Sequence, residues 1–560
     1  MTQEDRKNNI SVNSTAGKNA NEAQDTGAPI CEFLRDYACS GMSRFHMPGH
    51  KGRGDNFNAM DITEIRGADS LYTASGIIKK SEENAAHIFD TAATYYSTEG
   101  SSQCIRAMLA LALWADMDDM SGCTDGLQKR RHIILAARNV HNAFITALIL
   151  LGMDVEWLYD ESKDASLCTC YVSADAVRAK LASMQEKPAA VYLTSPNYLG
   201  QIQDIKAIAA AAHEYGIPLL VDNAHGAYLH FLKESLHPMD LGADICCDSA
   251  HKTLPALTGC AYLHISKRAI KKGSLQENDC LWYTDRAKYA LSLFGSTSPS
   301  YLLLASLDKL NPYLEDGFSE DLEKCINAVG LIKDAAEEAG FKMISPDGDH
   351  DVCEPMKITI DCRGMRMNGN ALADLLRLDG IECEYADSDV LVLMPSVEND
   401  ANDYKRLCLA LVKAAASAKI FAKYDKDSLS PEHAKDISAF LDNASEEIHI
   451  NADEKTHIDK THTDKTYIDK THIEKTHTDK TYTDKEEYIN IRPRKAMLPV
   501  DAAFAPYETI DAKEAAGRVY AGGVLACPPA IPIVVSGEVI PTEALKVMEH
   551  YGIEKVRVVL

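Results

Sequence analysis

The string SAHKTLPALTG at 249–259 sets a lysine between hydroxyl and imidazole side chains, directly after an apolar run. At the carboxyl end of a strand, Lys252 is a candidate for condensing with an aldehyde. That chemistry needs surroundings that lower the lysine pKa, so that the neutral amine can attack. The ordinary place of a lysine is a solvated surface, and the apolar strand before Lys252 weakens that reading here. Asp222 lies 30 residues upstream and ends another apolar run, PLLVDNAHG. A carboxylate there can hold the protonated ring nitrogen of pyridoxal phosphate and keep the ring an electron sink. It can equally cap a turn. The interval between the two residues has room for one crossover and one strand, so neighbouring strand ends could present both groups to one cofactor.

Two other strings carry the same ambiguity. In EGSSQCIRAML (99–109), Gly100, Ser101 and Ser102 open a helical pattern. A helix N-terminus offers free N–H groups and partial positive charge, and hydroxyls add donors, so the segment reads as a phosphate cup. It also reads as an ordinary serine cap. In ARNVHNAF (137–144), His141 falls just past a strand. An imidazole there can lie on the face of a conjugated ring, or be purely structural.

The elements that must position these residues alternate between strand and helix. RHIILAAR (131–138), VEWLY (155–159), PAAVYLTSPN (188–197), PLLVDNAHG (218–226) and ADICCDSAHK (243–252) read as strands. AFITALILLGM reads as a helix ending at Gly152, and Asp204 as the cap of a helix stopped by Gly216. Apolar strands alternating with helices imply an α/β fold whose mainly parallel sheet is covered on both faces. Such sheets bind ligands beyond the carboxyl ends of their strands, where the candidate residues fall. Residues 318–424 suggest a second α/β unit: a helix near 319–339, the strand MKITIDCRG, a helix near 370–378, and the strand pair IECEYAD and VLVLMPS.

A chain of 560 residues is too long for one core, and 46% apolar with 25% charged residues is ordinary globular usage. The expected division is a flexible leader over 1–27, a cofactor-binding major domain with an N-terminal arm over 28–317, and a small α/β domain over 318–446. A low-complexity linker over 447–488 and a C-terminal domain over 489–560 follow. Within the linker, 453–485 repeats a pentapeptide of the type IDKTH, whose period matches neither helix nor strand. Its His457, His462, His472 and His477 could bind metal weakly, but a solvated repeat is the simpler reading. With 58 Lys and Arg against 83 Asp and Glu, the formal charge is -25. That balance argues against nucleic acid or an anionic membrane as partner. The start lacks an apolar signal core, and no apolar stretch approaches the ~20 residues of a membrane helix. The 16 cysteines then read as reduced thiols, and the pairs at 168/170 and 246/247 lack zinc-type spacing, so no metal is expected. The expected location is the cytoplasm.

Taken in order, the strings FHMPGHKGRG (45–54), DITEIRGADSLY (61–72), EGSSQCIRAML, ARNVHNAF, LTSPNYLGQIQDI (193–205), LLVDNAHGAYLHF (219–231), SAHKTLPALTG and STSPSYLLLASLD (296–308) resemble the bacterial ornithine/lysine/arginine decarboxylases. The resemblance spans roughly 28–446 and 489–560, and is to the short form, with no receiver-like wing ahead of the first motif. It implies the aspartate-aminotransferase fold (type I) with smaller C-terminal domains, pyridoxal 5'-phosphate as cofactor, a cationic amino-acid substrate, and a homodimer or higher homo-oligomer. It casts Lys252 as the lysine joined to the cofactor, Asp222 as the ring-nitrogen partner, and His141 as the stacking histidine. Ala224 and His225 fall beneath and beside the ring, and His251 near cofactor and substrate. Gly100, Ser101, Ser102 and Ser249 become phosphate ligands, Thr297 and Ser298 reach a neighbouring subunit's phosphate, and Glu538 meets the substrate's distal cation. Decarboxylation of arginine, lysine or ornithine is the implied activity. An aminotransferase or carbon–sulfur lyase on the same fold, and a decarboxylase-like regulator without turnover, are the alternatives. The chain departs from the family pattern at Glu99, where Asn is usual, at Gly259–Cys260, where Gln-Thr is usual, and at Ala530, where Gly is usual. A carboxylate at 99 suits a phosphate loop only if it points away.

Overall fold

The computed structural model of the protein describes residues 27–120, 131–159, 169–274, 279–344, 352–363, 365, 367–424, 491–527 and 531–560. The expected leader up to residue 26 and the pentapeptide repeat with its histidines lie outside these residues.

Apolar strands build a seven-stranded central sheet from β1 (Ala93–Ser97), β2 (Ile133–Ala137), β3 (Asp154–Leu158), β4 (Ala190–Thr194), β6 (Leu219–Asp222), β7 (Ile245–Asp248) and β8 (Ala261–Ile265); a two-residue β5 (Gln201–Ile202) stands apart. The spatial order is β1-β8-β7-β6-β4-β2-β3. β3, β2, β4, β6 and β7 run parallel, while β8 is antiparallel to both of its neighbours. Side chains alternate across the sheet. Ile134, Ala136, Tyr192, Leu220 and Ile245 pack into one core with the helices Ser101–Met120, Asn142–Leu151 and Asp279–Ser292. Leu135, Val191, Leu193, Leu219 and Val221 pack into another with Ala174–Ser183 and Ile205–His213. Both faces are covered, which is why these strands read as unbroken apolar runs rather than alternating ones.

Helix boundaries follow local chemistry. Gly152 closes Asn142–Leu151 in the left-handed conformation (φ 64°). Asp204 caps Ile205–His213 by accepting from the Ala207 N–H at 3.0 Å. That helix ends at His213, and Gly216 (φ 65°) closes the turn after it.

The second unit has β9 (Lys342–Met343), β10 (Val352–Cys353), β11 (Ile358–Asp361), β12 (Tyr385–Ala386) and β13 (Val390–Leu393). Four of these form an antiparallel sheet ordered β12-β13-β11-β9, backed by Phe318–Ala339, Gly369–Leu378 and Ala401–Tyr424. The strand expected over IECEYAD shrinks to the two residues of β12. Its Glu382 and Glu384 are exposed, so the segment has little apolar face to bury at the sheet edge. β10 leaves this sheet to pair with β5, Glu354 N donates to Gly200 O at 2.8 Å, and Thr359 Oγ1 donates to Leu199 O at 3.0 Å. These bonds fasten the second unit to the segment after β4.

The C-terminal residues pair β14 (Tyr507–Asp511) with β17 (Lys555–Val559), and β15 (Val524–Cys527) with β16 (Ile531–Val535), around a core that includes Val534, Ile540, Val547 and Val558. Among the described residues, no helix is long and apolar enough to cross a membrane.

Candidate active site

β2, β4, β6 and β7 end around one cavity of about 420 Å³ at the carboxyl edge of the sheet. Lys252 and Asp222 both line it, as do His141, Ala224, His225 and His251. Gly100, Ser101, Ser102 and Ser249 line its other side. The strand register explains the meeting: Asp222 on β6 lies opposite Cys247 on β7, and Lys252 follows within one turn.

The side lined by Gly100 and Ser101 rests on backbone geometry. Gly100 has φ 70° and its N–H donates to Gly259 O at 2.8 Å. Gly259 has φ 100°, and a Cβ there would stand 3.3 Å from Thr98 O, so glycine suits the position. Ser101 starts the helix Ser101–Met120, and Ser249 Oγ donates to Ser101 Oγ at 2.8 Å. Hydroxyls from two elements thus meet at a helix N-terminus. Glu99 is exposed and accepts from Ser296 N at 3.3 Å, so its carboxylate is tied to the neighbouring loop. That loop carries Thr297 and Ser298, which are exposed and lie outside the cavity lining.

On the opposite side, Asp222 is fixed by three contacts. Its Oδ1 accepts from Ala224 N at 3.2 Å and from Cys247 Sγ at 3.7 Å, and its Oδ2 accepts from Tyr192 OH at 3.3 Å. Burial, reinforced by Asp222, holds the Tyr192 hydroxyl and the Cys247 thiol protonated, well above their ordinary pKa values. Lys252 Nζ is 3.1 Å from His225 Nε2. Burial pushes the Lys252 pKa down, against the pull of Asp222. His225 is held well below the usual histidine range by burial, then by Lys357 and Lys252. Burial likewise lowers His141, whose Nδ1 accepts from Ala143 N at 3.1 Å and so caps the following helix. With that acceptor at Nδ1, the neutral ring carries its proton on Nε2. His251 Nδ1 donates to Cys260 O at 2.9 Å, leaving Nε2 as its second polar atom.

Glu538 is placed differently from the sequence expectation of an acid awaiting a substrate cation. Its oxygens accept from Arg138 Nη1 and Nη2, both at 2.7 Å, from Trp157 Nε1 at 3.0 Å and from Val535 N at 2.9 Å. Both charged side chains are buried, and Glu538 is absent from the cavity lining. Arg138 and Glu538 are 400 residues apart, so no local string signals their pairing.

The structure adds residues that sequence reasoning missed. Asn139 and Thr194 line the cavity and are buried, or nearly so. Both amide atoms of Asn139 and Thr194 Oγ1 find no hydrogen-bond partner among the described residues. Both residues sit at strand ends, and the strand-end rule could have found them. Tyr198 also lines the cavity, and its hydroxyl donates to Glu384 Oε1 at 3.1 Å, bringing a carboxylate of the second unit to the rim.

Residues 28–347, more than half the chain, match the family described as Orn/Lys/Arg decarboxylase, major domain, and residues 476–553 match the C-terminal domain of the same family. The arginine decarboxylase of Bacillus subtilis is 26% identical over 534 residues, covering 92% of this chain and 91% of that protein. YaaO of the same organism, described as uncharacterized, is 30% identical over 66% of this chain and 74% of its own length. Among solved structures, the constitutive lysine decarboxylase of E. coli aligns with TM-score 0.66 and 17% identity, covering 95% of this chain and 82% of its own. The lysine decarboxylase of Francisella novicida aligns with TM-score 0.68 and 18% identity, covering 96% and 82%. These two likenesses show the fold, the type I arrangement of pyridoxal-phosphate enzymes. The match over the major and C-terminal domains places the chain in the Orn/Lys/Arg decarboxylase family.

Proposed function

We propose that the protein decarboxylates a basic amino acid (arginine, lysine or ornithine) with pyridoxal 5'-phosphate as cofactor. The observation that carries this reading is the meeting of Lys252 and Asp222 in one cavity at the ends of adjacent strands. The donor set fits the cofactor. A lysine whose pKa is lowered suits an aldehyde, and a buried carboxylate suits a ring nitrogen. Hydroxyls at a helix N-terminus suit a phosphate. The unpartnered atoms of Asn139 and Thr194 fit a polar occupant better than an apolar one.

When bound, the cofactor supplies the sink for the electron pair left by the departing carboxylate. The chain's own groups hold, orient and move protons. Lys252 Nζ would hold the aldehyde carbon and be available afterwards to return a proton to the α-carbon; His251, whose neutral ring already gives its proton to Cys260 O, could donate from Nε2 only as the imidazolium. Asp222, fixed by Ala224 N, Tyr192 and Cys247, keeps a proton on the ring nitrogen. His141 would stack on the ring, with Ala224 beneath it and His225 beside it. Gly100, Ser101, Ser102 and Ser249 would hold the phosphate. Glu384, tethered to Tyr198 at the rim, offers a negative charge to the substrate's distal cation.

A second copy of the chain completes the site in this reading, and the protein works in the cytoplasm. The arm exposes Met42, Phe45, Met47 and Phe57, with Phe45 at 95%, an apolar surface that a partner subunit would cover. Thr297 and Ser298 are exposed beside Glu99 and free to face that partner.

The test is product analysis with each of the three amino acids, using wild type beside Lys252→Ala. One substrate should release CO2 and its amine, and the variant should lose turnover by orders of magnitude. No CO2 from any of the three, or near-normal turnover by the variant, overturns the reading.

A further inference from the structure

Lys357 carries a buried charge that the reading above does not use. It lies at the foot of β11 in the second unit, not on the strands that carry the site, and only 5% of it is exposed. Its Nζ donates to Tyr198 O at 3.1 Å and lies 3.3 Å from His225 Nδ1. On the far side of the same ring, His225 Nε2 is 3.1 Å from Lys252 Nζ. The imidazole therefore bridges two lysines from different units.

Hydrogen-bond valence restricts the proton arrangement. An ammonium group donates and cannot accept, so His225 Nδ1 must accept from a charged Lys357. The neutral ring then carries its proton on Nε2 and aims it at Lys252. That contact is a hydrogen bond only if Lys252 offers a lone pair, which is the neutral amine. The opposite arrangement, a charged Lys252 and a neutral Lys357, needs the His225 proton on Nδ1. Local groups decide between the two. Glu354 Oε1 stands 3.9 Å from Lys357 Nζ, and the Tyr198 carbonyl accepts from it, so the charge is held at the Lys357 end.

Glu354 is itself firmly set. It accepts from Met356 N at 2.8 Å, from Lys357 N at 3.0 Å and from the Tyr228 hydroxyl. The bonds from Glu354 N to Gly200 O and from Thr359 Oγ1 to Leu199 O lock this stretch against the segment of Tyr198.

We propose that Lys357 is a positioning residue for Lys252: by accepting the charge of the pair and fixing the His225 proton on Nε2, it keeps the Lys252 amine neutral and aimed. The inference rests on the reading that Lys252 reacts with the cofactor aldehyde. Burial brings the Lys357 pKa to about 8, with Glu354 opposing and Lys252 lowering it further, so the group is mainly charged at neutral pH. His141 and His251 act on His225 from the cavity side. Asp222, Glu384 and Cys247 act on Lys252 and favour its charged form, while Glu384 and Cys353 also act on Lys357. The repulsion that lowers Lys357 beside Lys252 is mutual, so a charged Lys357 opposes the pull on Lys252.

The experiment follows capture of pyridoxal 5'-phosphate by full-length apoenzyme, read from the cofactor's visible absorbance against pH. Capture needs the neutral amine, so its acid limb reports Lys252. In Lys357→Met the limb should move to higher pH by about one unit, lowering capture at neutral pH by about tenfold. Lys357→Arg keeps a donor-only cation and should restore the limb. Glu354→Gln leaves Lys357 present but releases its proton more readily, and should move the limb in the same direction as Lys357→Met. A limb that stays at the wild-type position in both Lys357→Met and Glu354→Gln, whatever the loss of melting temperature, overturns the proposal. Lys252→Ala separates the two levels. If it captures and turns over normally, the reading of Lys252 fails; if it is inert while the limb stays fixed in the other two, only the role of Lys357 fails.

Discussion

Replacing Glu538 by alanine removes the counter-charge of Arg138, a guanidinium whose side chain is only 7% exposed. The partners meet through two parallel bonds of 2.7 Å, and Arg138 also lies over the Trp157 ring with its Cζ 4.6 Å from the ring centroid. Breaking a buried pair by removing one partner costs about 3–5 kcal/mol, because the remaining charge stays buried without compensation. Glu538 belongs to the C-terminal residues and Arg138 follows β2, so the loss falls on the seating of those residues against the site. The ion pair from Lys495 to Asp154 at 2.9 Å is a second fastening and should keep the variant assembled under mild conditions. The assay is denaturant unfolding with limited proteolysis, beside KM for the preferred amino acid. Glu538→Ala should unfold earlier and expose the C-terminal residues to protease. The double variant Arg138→Met, Glu538→Leu should recover part of the loss, since no lone charge is left. Recovery would be incomplete because Trp157 Nε1 and Val535 N lose their acceptor, about 1–3 kcal/mol each. KM in the double variant should stay within a few-fold of wild type. If stability were unchanged in Glu538→Ala while KM rose steeply in both variants, the docking role would be refuted and Glu538 would be the acid that meets the substrate.

Asp222→Asn should still capture the cofactor but decarboxylate orders of magnitude more slowly in single-turnover measurements; a rate within a few-fold of wild type would remove the ring-nitrogen role. Glu384→Gln should raise KM for the cationic substrate several-fold with kcat little changed, and steady-state kinetics showing an unmoved KM would exclude it from recognition. Asp308 is pushed up to about 6 by burial, despite bonds from Ser81 Oγ at 2.5 Å and Cys31 N at 2.8 Å. Its folded pKa lies above the unfolded value of about 4. The folded state therefore holds the extra proton between those values, and stability falls as pH rises through that window. Unfolding monitored across it should show this slope, and Asp308→Asn should flatten it; an unchanged slope would place the effect elsewhere.

Much of the site was legible because strand ends are marked by a change from apolar to polar residues. The runs ending at Asp222 and Asp248 mark Asp222, Ser249 and Lys252 as residues of the sheet edge. Asn139 and Thr194 obey the same rule, but nothing in their strings separates an unpartnered cavity residue from an ordinary loop residue. The pairing of Glu538 with Arg138 was not legible, because a carboxylate's availability depends on what pairs with it and Arg138 is remote in sequence. Lys357 was invisible for a related reason. It precedes β11 in a string with no sign of catalysis, and its meaning comes from the packing of β10 against β5. The expected strand at IECEYAD failed on burial, since its alternate glutamates stay in solvent.

The residues behind the cavity explain how neighbouring strand ends stay in register to within a hydrogen bond. Asp248 ends β7 and is fully buried, yet its carboxyl lies well below the usual carboxylate range, because His237 and His264 outweigh the cost of burial. Its Oδ2 accepts from His237 Nε2 at 3.0 Å and His264 Nε2 at 3.1 Å, and its Oδ1 accepts from Asn223 Nδ2 at 2.7 Å. His237 Nδ1 accepts from Met239 N at 3.3 Å, so the neutral ring keeps its proton on Nε2, facing Asp248. Asn223 stands between Asp222 and Ala224, and Ser249 follows Asp248 directly. One buried carboxylate thereby ties the loop that carries Asp222 to the turn that carries Ser249 and Lys252. A site whose reacting groups come from separate strands needs such a tie. A displacement of about 1 Å can cost about a hundredfold in rate, and bonds to a buried charged acceptor resist that displacement more strongly than neutral ones. The cavity side supplies the chemistry, and the Asp248 network fixes the distance between its parts.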